Sequence, residues 1–328
     1  MSHNQWTRLA ATAVSVEDYG RAPGPMTKDV DLGAVRRYSR RRVERLGEYF
    51  VRAWRAGADF VCGYEAITGA AHYGSLPETR AAFDALVETV PGPTTELFGK
   101  LARRHGGYCA ICLEEKDGDR VYNTAVLIDR KGRIAGKYRK VHLPPQERMY
   151  ATPGNAFPVF ETDFGRVGFS ICYDIMFPEA SRAVALNGAD LLVHMGNTTY
   201  TRKEESLSAR AADNMLWLLA CNITGMISMI VDLAGTVVAR ATPHTADVAM
   251  ADVDLRCERE MPRDNLFSGV KSLRGRMLQE RVPSAYRVIA SARPPLLERY
   301  KNDRIPRTAG ERRRVVEANL EAIRKLYG

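Results

Sequence analysis

No stretch of the 328 residues approaches the roughly 20 consecutive apolar residues that a membrane-spanning helix requires. The opening segment, MSHNQWTRLAATAV, also lacks a basic start, a long apolar run and a small-residue cleavage site. Both absences point away from membrane and export, and the expected compartment is the cytoplasm. Cysteine is sparse, at positions 62, 109, 112, 172, 221 and 257. In so long a chain without an export signal, these read as reduced thiols and not as a disulfide framework. Zinc-finger spacing, an RNA-binding aromatic motif and a Gly-rich phosphate loop are all missing. No linker rich in Pro, Gly and Ser divides the chain. One domain over residues 1–328 is therefore expected, with a polar insertion at about 19–31 and a C-terminal extension from about 291.

What is present suits a sizeable buried core: 45% of the side chains are apolar and 27% charged. The net charge of +9 is concentrated in two arginine-rich stretches, Arg36 to Arg45 and Arg299 to Lys325, both predicted to be largely helical. In the first, Tyr38, Val43, Leu46, Tyr49, Phe50 and Trp54 recur near helical spacing, with arginines at many of the other positions. That pattern favours a solvated helix face over a nucleic-acid-binding surface.

Strand-like and helix-like segments alternate, which makes the fold class α/β. Residues 9–16 read as a first strand, and the arginine-rich helix closes at Gly57 before the strand ADFVCGY. Helices are expected over AAFDALVETV and from Thr94 to His105, followed by the strand YCAICLEE. VYNTAVLI and RIAGKY pair across the turn DRKG. VGFSICY is a further strand, and PEASRAVALNGADLLVHMGN reads as helix, glycine stop and strand. WRAGADFVCGYEA and ALNGADLLVHMGN echo one another, as two related α-β halves or as the general chemistry of a helix-to-strand turn.

The segment RVGFSICYDIMFPE carries the chemistry. A strand ends at Cys172, and Pro178 with Glu179 suits the first turn of the next helix. A thiol on such a bend can protrude while the next backbone N–H, that of Tyr173, faces a developing oxyanion. A free thiol has a pKa of about 8.5 and needs a neighbouring base or cation to attack at neutral pH. Glu65, at the polar end of VCGYEA, and Lys140, in KYRKVHLP, are the candidates. A carboxylate can take the thiol proton and later activate water, and an ammonium can stabilise a tetrahedral oxyanion.

GADFVCGYEA, GKYRKVHLP and GFSICYDIMFPE, in this order and spacing, resemble the nitrilase-like carbon-nitrogen hydrolase family. Supporting similarity runs through GADLLVHMGN, RAADNMLWLLACNITG and SMIVDLAGTVVAR, over roughly residues 55–255. The resemblance implies a four-layer α-β-β-α sandwich that dimerises or forms a larger homo-oligomer, with no metal or organic cofactor. It implies a small-molecule amide or carbamoyl substrate, and no nucleic-acid or membrane partner. It further implies that Glu65 is the general base, Lys140 the oxyanion-stabilising lysine and Cys172 the acyl-forming nucleophile. Glu147, in HLPPQERMY, matches a second glutamate that positions substrate in many members. His142 is read as structural.

The chain also departs from family patterns. Nitrile-cleaving members carry Trp-Glu after the cysteine, whereas Tyr173-Asp174 stands here, closer to the amidase and carbamoylase branches. Carbamoylases of D-amino acids place arginines just beyond, where this chain has Ile175 and Met176. Tyr64 and Ala66 replace the more usual residues around the base. Loops at Ala66 to Tyr73, Glu147 to Thr152 and Asn197 to Arg202 are expected to line the pocket. Three other readings stay open: acyl transfer to an amine, a metal protein using Cys109 and Cys112 beside His105, and a basic interaction protein.

Overall fold

A computed structural model of the chain describes residues 6–14, 20–24, 30–197, 203–223, 227–241, 248–257, 272–300, 306, 308, 310–315 and 317. The chain divides into two compact units, Met1–Arg256 and Cys257–Gly328.

The first unit is organised around β1 (Thr7–Val14), a run of small and β-branched residues buried at every position but Arg8. Its early part pairs with β2 (Phe60–Cys62, parallel) and β12 (Val248–Val253, antiparallel). Its far end, at Ala13 and Val14, pairs in parallel with β9 (Trp217–Ile223). Two half-sheets thus share one strand. The first continues from β2 through β3 (Tyr108–Asp117), β4 (Arg120–Ile128) and β5 (Ile134–Arg139). The second runs from β6 (Val159–Glu161) through β7 (Arg166–Ile171), β8 (Leu191–Gly196) and β9 to β10 (Ser228–Val231) and β11 (Val237–Ala241).

Helices cover the outer faces. α1 (Leu32–Arg55) is capped by the Asp31 carboxylate, which accepts from Gly33 N at 2.8 Å. Its apolar stripe packs with α3 (Pro93–His105) against the first half-sheet, the rings of Phe50 and Phe98 meeting edge-on at 5.0 Å. α4 (Pro178–Leu186) and α5 (Lys203–Asn214) enclose Val184, Leu192, Leu207 and Leu218 against the second. Between the half-sheets lies the main core, in which Leu9, Phe60, Ile111 and Val126 join Phe169, Val193 and Leu219. The architecture is a four-layer α-β-β-α sandwich.

The Gly-Ala-Asp echo marks two β-α-β units built alike, β1-α1-β2 and β7-α4-β8. In both, the glycine after the helix is left-handed, Gly57 at φ 89° and Gly188 at φ 91°. The aspartate then seals the start of the neighbouring strand. Arg8 N donates to Asp59 Oδ2 (3.0 Å) while Asp59 N donates to Arg8 O (2.8 Å); Arg166 N and Asp190 repeat both bonds at 2.9 and 2.8 Å. Even the arginine side chains correspond, donating to the helix-end carbonyls of Ala56 (3.1 Å) and Asn187 (3.0 Å).

Two expected elements differ. The helix read over AAFDALVETV is only α2 (Arg80–Asp84). Val87, Thr89 and Val90, β-branched and just before Pro91, disfavour helix, and the chain instead joins the edge of β3, Glu88 N donating to Glu114 O and Lys116 N to Glu88 O. The strand read over ADFVCGY is confined to Phe60–Cys62. Of the expected insertion, residues 20–24 are irregular, with Pro23 O accepting from the Tyr73 hydroxyl at 3.0 Å; residues 25–29 lie outside the described residues, as do 15 and 16 of the first expected strand.

The second unit contains α6 (Leu273–Gln279) and 3-10 turns at Pro283–Ala290 and Pro295–Tyr300, none with a buried residue. Of the helix expected from Arg299 to Lys325, residues 310–315 and 317 are helical, and most of the rest lies outside the described residues.

Candidate active site

Glu65 stands three residues beyond β2. Gly63 N donates to Ala110 O (3.0 Å) and Ile67 N to Cys112 O (2.9 Å), which straps this loop to β3. Ala66 adopts φ 57°, a left-handed conformation that costs a non-glycine residue about 1–3 kcal/mol and persists only where the surroundings impose it. Much of that imposition comes from Arg42. Its guanidinium donates to Ile67 O (3.0 Å), Ala66 O (3.0 Å) and the Tyr38 hydroxyl (3.1 Å) and lies over the Tyr64 ring. Arg42 was read with its neighbours as part of a solvated face, yet only 2% of it is exposed. The legible signal was its spacing, four residues after Tyr38 and four before Leu46, on the apolar stripe.

Lys140 follows β5 and is wholly buried; its N–H donates to Asn123 O at 2.9 Å. Its Nζ donates to Oε1 of Glu65 and to Oε1 of Glu147, both at 2.7 Å. Glu147 is presented by a 3-10 turn, Glu147–Met149. Asn123, on β4, bridges the two carboxylates: Nδ2 donates to Glu65 Oε1 (2.9 Å) and Glu147 Oε2 (3.3 Å), and Oδ1 accepts from Cys112 Sγ (3.1 Å). Asn123 was missed, because one asparagine in a strand carries no motif of its own.

Cys172 comes from the opposite half-sheet. β7 ends at Ile171, Cys172 takes φ 46°, and a 3-10 turn (Cys172–Met176) leads into α4, with Pro178 at its start and Glu179 in its first turn. Cys172 is 7% exposed and within electrostatic reach of Lys140. Among the described residues, three that are not glycine have positive φ, and two of them are Ala66 and Cys172. Backbone strain is concentrated beside Glu65 and at Cys172.

The electrostatics follow from burial and pairing. Burial alone would lower the Lys140 pKa, but Glu65, then Cys172 and Glu147, outweigh it and hold the ammonium well above its ordinary value. Burial raises Glu147 to about 7, with Lys140 opposing and Glu65 adding to the rise. Glu114, on β3, is likewise raised to about 7, by burial first. One of its oxygens accepts from the Thr68 hydroxyl at 3.1 Å, and the other has no hydrogen-bond partner. Burial also pushes up the thiols of Cys62, Cys109 and Cys112, which makes them weak nucleophiles. Cys109 and Cys112 are three apart in a strand and so lie on opposite faces, an arrangement unsuited to a shared metal ion. No group of three or more His, Cys, Asp or Glu among the described residues is placed to hold one. No helix among them is long and apolar enough to cross a membrane.

The structure therefore bonds Lys140 to both Glu65 and Glu147 and places Cys172 within electrostatic reach of Lys140. Tyr173 follows on the elbow, half-buried, its ring edge-on to Phe177 at 5.3 Å. Of the three expected pocket loops, residues 198–202 lie outside the described residues.

The carbon-nitrogen hydrolase profile matches residues 33–263, and the chain belongs to that family. A nitrilase of Pyrococcus abyssi is 34% identical over 188 residues, covering 54% of this chain and 71% of that one. The omega-amidase NIT2 of Homo sapiens is 31% identical over 225 residues, covering 58% and 80%. The crystal structure of a carbon-nitrogen hydrolase from Helicobacter pylori G27 has the same fold, with a TM-score of 0.67 at 20% identity, over 88% of this chain and 99% of that one.

Proposed function

We propose that this carbon-nitrogen hydrolase cleaves the C–N bond of a small amide or carbamoyl compound through a thioester on Cys172. The observation that carries the reading is a fully buried ammonium bonded at 2.7 Å to each of two glutamates, within electrostatic reach of a cysteine held at positive φ. Both bonds to the Glu65 carboxylate fall on Oε1, and Oε2 acts as the base. In the acylation step Glu65 takes the Cys172 proton and Sγ attacks the carbonyl carbon. The oxyanion faces Lys140 Nζ and the Tyr173 N–H. Glu65 returns the proton to the departing nitrogen, the C–N bond breaks, and ammonia leaves a thioester. Glu65 then deprotonates water, which attacks the thioester carbonyl; the C–S bond breaks, the acid departs and Cys172 recovers its proton. Glu147 shares the Lys140 ammonium and orients the substrate amide.

The amide preference rests on Tyr173-Asp174 standing where nitrile-cleaving members have Trp-Glu. Overall identity does not favour it, since the nitrilase and the omega-amidase match this chain almost equally. The test is a screen of amides, N-carbamoyl compounds and nitriles for ammonia release, with intact-mass trapping of the acyl-enzyme. Cys172→Ala is expected to fold normally, lose detectable turnover and lose the adduct. An adduct that persists in Cys172→Ala, or that maps to another cysteine, refutes the thioester assignment.

A further inference from the structure

Asp174 is one of the two residues, with Tyr173, that set this chain apart from the nitrile-cleaving pattern, and its carboxylate is taken up within the protein. It is completely buried, and both oxygens are occupied by protein donors. Oδ2 accepts from the Tyr138 hydroxyl (2.7 Å) and from Ile171 N (2.9 Å). Oδ1 accepts from His142 N (3.0 Å) and bonds His142 Nδ1 (2.8 Å). The Tyr138 hydroxyl in turn accepts from Val141 N at 3.2 Å, and the His142 ring stacks on Phe177 at 3.8 Å and 9°.

These partners bracket the reacting groups. Ile171 immediately precedes Cys172, and Tyr138 and His142 lie two residues to either side of Lys140. The strands concerned, β5 and β7, belong to different half-sheets and share no backbone ladder. The spacing between nucleophile and ammonium is therefore not fixed by strand pairing. One carboxylate with four donors joins the two strand ends, and its bond to Ile171 N also braces the backbone just where Cys172 is forced to positive φ. We propose that Asp174 is a positioning residue that sets the Cys172 thiol against Lys140 for acylation, acting through Tyr138 and His142 and without touching the substrate.

The proposal rests on the thioester reading, so the experiment separates the two. The probe is p-nitrophenyl acetate, with the nitrophenolate burst reporting acylation and peptide mapping locating the acetyl group. Wild-type enzyme is expected to be acetylated at Cys172; if it is not, the thioester reading fails and takes this proposal with it. In Asp174→Asn the shape is kept, but the amide nitrogen cannot accept hydrogen bonds. The burst rate constant at saturation is expected to fall about 100-fold, the loss that a misplacement near 1 Å can cause, with the half-saturating concentration changed less than about threefold. A folded Asp174→Asn that acylates at the wild-type rate overturns the proposal, and so does one whose half-saturating concentration alone rises. Tyr138→Phe removes a single donor and serves if Asp174→Asn does not fold. A roughly tenfold slower burst is expected there, and an unchanged burst overturns the proposal. Combined with Asp174→Asn, it should add little, because the two variants break the same connection.

Discussion

The two β-α-β units match closely in scaffold and diverge in chemistry. Each has an arginine at the start of its first strand, a left-handed glycine after its helix and an aspartate exchanging two backbone-linked hydrogen bonds with that arginine. The reacting groups do not follow the repeat. Glu65 lies beyond the second strand of its unit, β2, and Cys172 lies at the end of the first strand of the other, β7. Facing the two half-sheets across one core converts these non-equivalent ends into neighbours. A single architecture, used twice, thus supplies the proposed base from one position and the proposed nucleophile from another. Changes in the scaffold should therefore act alike in both units, whereas changes in the site should act through one cluster.

The largest effect is expected at the centre of that cluster. Lys140→Met strands two buried carboxylates that now share one ammonium, and removing one partner of a buried charge group costs about 3–5 kcal/mol. Urea denaturation of the variant should show a loss of that size, together with loss of turnover. A Lys140→Met protein as stable as wild type would mean that the lysine is not what holds the two acids together.

Scaffold substitutions should be milder, and they test the repeat directly. Asp59→Ala and Asp190→Ala each leave a solvent-accessible strand-start N–H without its side-chain acceptor, which costs about 0.5–1.5 kcal/mol. Asp59 also accepts from Arg130 at 3.0 Å, but that pair is part-exposed and Arg130 keeps Asp163, so the surplus at Asp59 should be small. Equal losses in thermal melts at unchanged kcat support two equivalent joints. A kcat change in one variant only would show that its turn is coupled to the site.

Sequence alone made this repeat visible as Gly-Ala-Asp but could not say whether it was more than turn chemistry. The reciprocal bonds decide it, and they involve Arg8 and Arg166, which lie far from the motif in the chain. Glu65, Lys140, Glu147 and Cys172 were legible because each sits in a distinctive local pattern. Asn123, Arg42 and Asp174 were not, for three separate reasons. Asn123 acts through cross-strand geometry, and Arg42 looks like its solvated neighbours until the helix is rotated into place. Asp174 sat inside the quoted motif, where with Tyr173 it served only to mark the branch of the family; its carboxylate bonds Tyr138 and His142 between the strands. The shortened α2 has a local cause in the β-branched residues before Pro91, but the pairing of that segment with β3 is contained in no local window.

The smallest expected effect concerns Glu114, which lies one cross-strand step from Asn123 and takes no part in the proposed cycle. Its folded pKa of about 7 exceeds its ordinary value of 4.5, so the folded protein holds a proton there that the unfolded chain has already lost. The resulting stabilisation is fully present below about pH 4.5 and is lost as pH rises through about 7. Glu147 is raised in the same direction and reinforces the slope. Glu114→Gln keeps the side chain's size and an acceptor for Thr68 but removes its titration. Urea midpoints should therefore fall less steeply between about pH 4.5 and 7 in the variant than in wild type, with the remaining slope left to Glu147. An undiminished slope would place the titration elsewhere in the first unit, and a steeper one would mean that Glu114 is held charged, with its unpartnered oxygen satisfied by a donor brought in from solvent.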